Sequence, residues 1–124
     1  MSEVKTVALD QVQAVELPMD SWSRVLITEH TVQGNSACMG YSVFKPGFVA
    51  ADLSHAVEEL AYVVSGQGVI RLEEGPLEVK AGQAIHIPAR VWHTVVNEGK
   101  DDLVMVFSFP STDYPPTERR DPRA

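Results

Sequence analysis

The chain carries four histidines, His30, His55, His86 and His93, and two of them stand where they could work with a carboxylate. Glu59 follows His55 by four positions, and an even separation along an extended strand puts two side chains on one face. His93 opens another β-rich run just after the turn-like Pro88-Ala89-Arg90. Brought together from two strands, His55, Glu59 and His93 are two imidazoles and one carboxylate. That donor set suits a divalent transition metal and leaves open positions for substrate or O₂. The residues alone leave a second arrangement open, in which a buried Glu59 flanked by two imidazoles is a satisfied ion pair without a metal. There is no Gly-rich phosphate loop, nucleophile elbow or Cys-x-x-Cys pair. Cys38 is the single cysteine, so an intramolecular disulfide is excluded and the thiol reads as a small buried hydrophobe.

These residues need a scaffold of strands, and the chain supplies strand-length β-rich runs at 24–32, 37–44, 59–64, 68–72, 83–87, 92–96 and 103–109. Between them lie Gly34-Asn35, Lys45-Pro46-Gly47, Ser65-Gly66, Glu74-Gly75-Pro76, Ala81-Gly82 and 97–100, all of which favour turns. No amphipathic helix of useful length intervenes, so the expectation is a single all-β domain, a sandwich or barrel. Residues 1–22 read as a lead-in arm with at most one short strand, 23–109 as the barrel, and 110–124 as a Pro-rich charged tail. The four prolines of that tail, Pro110, Pro115, Pro116 and Pro122, bar it from a central strand. Its composition reads as solvated; the alternative is an arm in which Tyr114 and the prolines after it pack on the barrel or on a second subunit.

Composition narrows the partners. Of 124 residues, 44% are hydrophobic and 22% charged, the balance of one globular domain with a core large enough to fold without disulfides. A net charge of −7 with no basic run makes nucleic acid and anionic membranes poor partners. No membrane-length apolar segment occurs, and the acidic, interrupted start is unlike a secretory signal, so the expected compartment is the cytoplasm.

Two blocks of residues resemble the cupin signatures. Pro46-Gly47, five residues, Leu53-Ser54-His55, three residues, Glu59, six residues and Gly66 are similar to the first. Gly82, five residues, Pro88-Ala89-Arg90, two residues, His93, three residues and Asn97 are similar to the second. Together they cover about two fifths of the chain. The resemblance implies a cupin-type jelly-roll barrel, a homodimer, and a metal held by His55, Glu59 and His93. Two positions depart from the pattern. Leu53 stands where the family has its first metal histidine, and Arg90 where it usually has glycine. His86 and Asp52 are the nearest substitutes in sequence, but each is one residue out of phase with the inward positions.

The function expected is that of a small cupin enzyme using one divalent Fe, Mn, Ni or Zn ion on a small oxygen-bearing metabolite, with dioxygenase, isomerase, lyase, decarboxylase or cyclase chemistry. Glu59, or a hydroxide on the metal, is the candidate base. Arg90 could pair with a substrate carboxylate, and Tyr41, Trp92, Met105 and Phe107 could line the pocket. On β parity Glu59, Ala61 and Val63 share one face while Leu60, Tyr62 and Val64 share the other, so Tyr62 points away from the site. The alternative, kept open by Leu53, is a non-catalytic barrel that binds a small ligand over a degenerate metal site.

Overall fold

A computed structural model describes residues 3–124. After a 3-10 turn at Leu9–Gln11 come β1 (Val15–Glu16), β2 (Trp22–Ile27), β3 (Cys38–Phe44) and β4 (Asp52–His55). They are followed by β5 (Glu59–Ser65), β6 (Gln67–Leu72), β7 (Gly75–Lys80) and β8 (Ala84–Ile87). β9 (Thr94–Val96), β10 (Leu103–Phe109) and β11 (Thr117–Arg120) complete an all-β jelly roll. One layer is a six-stranded sheet in the order β1-β2-β3-β10-β5-β8. The other is made of β7-β6-β9 and the pair β11-β4, joined through the bridges Val49 to Val96 and Leu53 to His93.

Alternation builds the core. Along β10 the buried residues are Leu103, Met105, Phe107 and Phe109. They meet Ala61 and Val63 of β5, Ile85 and Ile87 of β8, and Ile70 and Val79 of the opposite layer. Each such aliphatic side chain contributes about 1.5–3 kcal/mol by leaving water. The β5 parity is as expected: Ala61 and Val63 are buried, whereas Leu60, Tyr62 and Val64 on the other face are about half exposed. Gly40 lies opposite Phe107 in the β3–β10 ladder, and a Cβ there would fall within the Phe107 ring, so this strand position has room only for glycine.

Three departures from the expected elements have local causes. The strand expected over 24–32 ends at Ile27, because the Thr28 and Thr31 hydroxyls bond to nearby backbone and fold the chain into a turn. β7 forms across residues that look like a turn, with Pro76 tolerated because β7 is an edge strand. The segment 110–124, whose composition reads as solvated, instead supplies β11, which pairs antiparallel with β4 from Thr117 opposite His55 to Arg120 opposite Asp52. β4 itself has too few β-forming residues to stand out in sequence. Among the described residues no helix is long and apolar enough to cross a membrane.

Candidate metal centre

His55 ends β4, Glu59 begins β5, and His93 lies just before β9, opposite Leu53. The short 56–58 connection turns the chain from one layer into the other, so His55 and Glu59 approach from different sheets. His55 Nε2 is 3.2 Å and His93 Nε2 3.5 Å from the same Glu59 oxygen, Oε1. One ligand atom from each residue lies within 4.8 Å of the others. Both imidazoles are buried, at 3% exposure each, and the Glu59 side chain is 15% exposed.

The outer nitrogens are already committed. His93 Nδ1 donates to the Val91 carbonyl at 2.9 Å. His55 Nδ1 lies 2.8 Å from Thr117 Oγ1, whose own proton goes to the Pro115 carbonyl at 2.9 Å. The hydroxyl therefore accepts from His55 Nδ1–H. With both Nδ1 atoms acting as donors, the two Nε2 lone pairs and a carboxylate oxygen converge on one point. Three acceptors so placed require a cation between them, either protons or a metal ion.

The charges agree with that geometry. Burial pushes the Glu59 carboxyl up, but the hydrogen bonds and charges of His55 and His93 outweigh it and hold the group below its ordinary range. Burial pushes His93 down, and its bonds to Glu59 and Val91 outweigh it and hold the imidazole above its ordinary value.

An aromatic cluster flanks His55. The Phe109 ring meets His55 edge-on at 4.8 Å, and Tyr114 meets it at 5.7 Å. Phe107 and Phe109 pack in turn on Tyr114, at 6.3 and 5.3 Å. Burial and the charge of Glu59 push the Tyr114 hydroxyl up to about 12, so it is neutral at physiological pH.

The other expected site residues scatter. Met105 and Phe107 point into the barrel interior. Tyr41 does not: it stacks with Trp22 at 6.0 Å, on the face of β3 opposite the inward Gly40 and Ser42, so it lines no part of this site. Trp92 is covered by β11: the Arg120 Cζ lies over its ring, 3.9 Å from the ring centroid. Arg90 is exposed at the motif turn. Its φ of 65° is left-handed, which explains the glycine usual there, and its backbone N–H donates to the His55 carbonyl at 2.8 Å.

His86 faces outward and pairs with Glu58 at 2.8 Å. Asp52 is 1% exposed but serves another cluster, accepting from Thr94 Oγ1 at 3.0 Å and pairing with Arg120 Nε at 2.8 Å and Arg123 Nη2 at 3.6 Å. Neither joins the group of His55, Glu59 and His93. Asn97 of the second motif braces the adjacent loop, donating to the Phe44 and Asp101 carbonyls and accepting from Gly99. Cys38 is buried and burial pushes its thiol up, which makes it unreactive. Thr117 was not visible as a site residue, because nothing local to it in sequence marks a partner for His55.

The chain belongs to the cupin family, whose cupin-domain model matches residues 40–109. It is 33% identical over 85 residues to polyketide synthase CurC of Streptomyces cyaneus, covering 68% of this chain and 55% of that protein. The same identity and span relate it to protein SchB of Streptomyces halstedii, of which 62% is covered. It thus spans about six tenths of the length of these relatives. Dimethylsulfoniopropionate lyase DddW of Ruegeria pomeroyi is 27% identical over 97 residues, 78% of this chain and 63% of the lyase. In structure it is similar to the polyketide cyclase RemF of Streptomyces resistomycificus, with a TM-score of 0.79 at 21% identity over 94% of this chain and 85% of RemF. It is also similar to Lactobacillus farciminis oxalate decarboxylase, with a TM-score of 0.80 at 17% identity over 90% of this chain and 34% of the enzyme. At those identities the fold is what is shared.

Proposed function

We propose that this chain is a metal-dependent cupin enzyme that acts on a small oxygen-bearing substrate, with one divalent transition ion held by His55, Glu59 and His93. One observation carries this: three acceptor atoms converge while both imidazole Nδ1 protons are spent on Thr117 and Val91. Bound there, the ion supplies Lewis acidity toward a carbonyl or hydroxyl oxygen. Glu59, whose Oε1 faces both imidazoles, is the ligand carboxylate and remains the candidate base. Phe109 and Tyr114 pack edge-on against the His55 ring, with Phe107 behind them. Arg90, whose backbone N–H meets the His55 carbonyl, is the candidate partner for a substrate carboxylate.

Among cupin reactions we favour ring closure of a polyketide-like chain of carbonyls. The relation to CurC and the near full-length fold likeness to RemF support that choice. The same reading carries a homodimer in the cytoplasm, with Met39, Leu60, Tyr62 and Val64 on the outer face of the six-stranded sheet as the surface to be covered.

The test is elemental analysis of protein purified without chelator or histidine tag, beside His93→Ala. About one iron, manganese, nickel or zinc per chain in the parent alone, followed by ring closure of a short poly-β-carbonyl substrate, supports the proposal. A parent that stays metal-free after reconstitution while keeping its fold overturns it in favour of a ligand-binding barrel. A loaded protein that leaves such substrates unchanged overturns the ring-closure assignment alone.

A further inference from the structure

We infer that Thr117, on the C-terminal strand, is a positioning residue that fixes which His55 nitrogen is free to bind a metal. The inference rests on the metal reading above and assigns a role to a strand outside both sequence motifs. Thr117 lies directly opposite His55 in the β4–β11 ladder, and its Oγ1 is 2.8 Å from His55 Nδ1. A hydroxyl can donate or accept, so this contact alone leaves the histidine tautomer undetermined. The second bond of the hydroxyl removes that freedom. Pro115 offers only a carbonyl, an obligate acceptor, 2.9 Å from the same Oγ1. The Thr117 proton goes there, its lone pair faces the ring, and the ring proton must sit on Nδ1. In the neutral ring Nε2 is thereby the nitrogen without a proton, free to take up a cation on the side of Glu59, 3.2 Å away.

The two imidazoles differ in how this is achieved. His93 is held by the carbonyl of Val91, two residues before it, which side-chain substitution does not remove. His55 depends on a side chain 62 residues further along, delivered only when β11 is docked. β11 is pinned by the buried Asp52, which pairs with Arg120, and by Arg123, whose backbone N–H reaches Thr94 Oγ1. Orienting partners of metal-bound histidines commonly set affinity within a factor of 10–100. The same range is expected for Thr117.

The experiment compares Thr117→Val, which keeps the β-branched shape, with Thr117→Ser, which keeps the hydroxyl. Zn²⁺ and Mn²⁺ affinities are measured on the full chain, and histidine ring ¹⁵N spectra of the metal-free protein report which nitrogen carries the proton. Thr117→Val should bind each ion about 10–100-fold more weakly than the parent, and Thr117→Ser should recover most of the loss. In the spectra His55 should lose its Nδ1–H signature in Thr117→Val and regain it in Thr117→Ser, while His93 stays unchanged in both. Parent-like affinity and an unaltered His55 signature in Thr117→Val would overturn the inference. If the parent itself binds neither ion, the metal reading fails, and the spectra alone decide: a His55 signature that follows residue 117 upholds the positioning role, and one that ignores it overturns it.

Discussion

Leu53 and His93 face each other across the junction of β4 and β9 and exchange both backbone hydrogen bonds, Leu53 N–H to His93 O at 3.0 Å and His93 N–H to Leu53 O at 2.9 Å. Directly paired residues of an antiparallel ladder project their side chains to the same side. Leu53 therefore stands beside the His93 imidazole, at the position where the family has its first metal histidine. An apolar side chain here cannot ligate, so an ion held as proposed by His55, Glu59 and His93 would keep that position for small oxygen ligands.

The first prediction follows from that pairing. Leu53→His places a third imidazole next to His93, and a divalent ion should bind at least tenfold more tightly, because an added ligand outweighs a displaced water. If substrate oxygens use the position, turnover should fall at the same time. Metal titration and steady-state kinetics on the same preparation check both. Tighter binding with unchanged turnover contradicts a role for the open position.

A second prediction concerns pH. In the metal-free protein Glu59 is held below its ordinary 4.5 and His93 above its ordinary 6.5. The stability due to Glu59 is present above about 4.5 and is lost as pH falls through its depressed value. That due to His93 is present below about 6.5 and is lost as pH rises through its raised value. The metal-free chain should thus be most stable between these limits, where the imidazolium–carboxylate pair exists. Metal must displace the His93 proton, so its uptake should release a proton at mildly acidic pH, and apparent affinity should rise with pH. Thermal unfolding of chelator-treated protein across pH, with His93→Gln lacking the alkaline decline, checks the first part. Calorimetry in buffers of different ionisation enthalpy checks the second.

A third prediction separates two roles of Arg90. Its left-handed φ of 65° strains a residue with a Cβ, so Arg90→Gly should leave stability unchanged or raise it by up to about 1 kcal/mol. The N–H donated to the His55 carbonyl is kept in that variant. If the guanidinium holds a substrate carboxylate, KM should rise about tenfold with little change in kcat. Denaturant unfolding and kinetics decide, and an unchanged KM removes Arg90 from the substrate site.

Local pattern made one half of the centre legible and hid the other. Alternation along 59–64 places Glu59 inward with Ala61 and Val63, and motif spacing supplies His55 and His93 as the residues that meet it. Parity likewise puts His86 and Asp52 out of phase with the inward positions, and in the structure they pair with Glu58 and with Arg120. Thr117 could not be found in this way. The run Thr-Glu-Arg-Arg between prolines carries no β-forming signal, and its strand exists because its backbone completes the edge of β4. A pairing over so long a sequence separation leaves no periodicity behind. Tyr41 shows the opposite failure, a good strand residue whose parity in β3 turns it outward.

The last prediction tests how the C-terminal strand is held. Asp52 is almost fully buried between two arginines and Thr94, with Arg120 half exposed at 49% and Arg123 at 23%. Asp52→Asn leaves two guanidinium groups beside a neutral amide and should cost about 1–2 kcal/mol, less than for a fully buried pair because both guanidiniums reach solvent. Arg120→Met removes the more exposed partner and should cost about 1 kcal/mol, together with the guanidinium cover on Trp92. Because β11 carries Thr117, Asp52→Asn should weaken metal binding in step with stability, whereas Thr117→Val should weaken metal binding far more than stability. Unfolding midpoints set beside metal titrations for the three variants distinguish a latch from a ligand-orienting contact. A parent-like midpoint for Asp52→Asn would mean that the strand is held by its ladder with β4 alone.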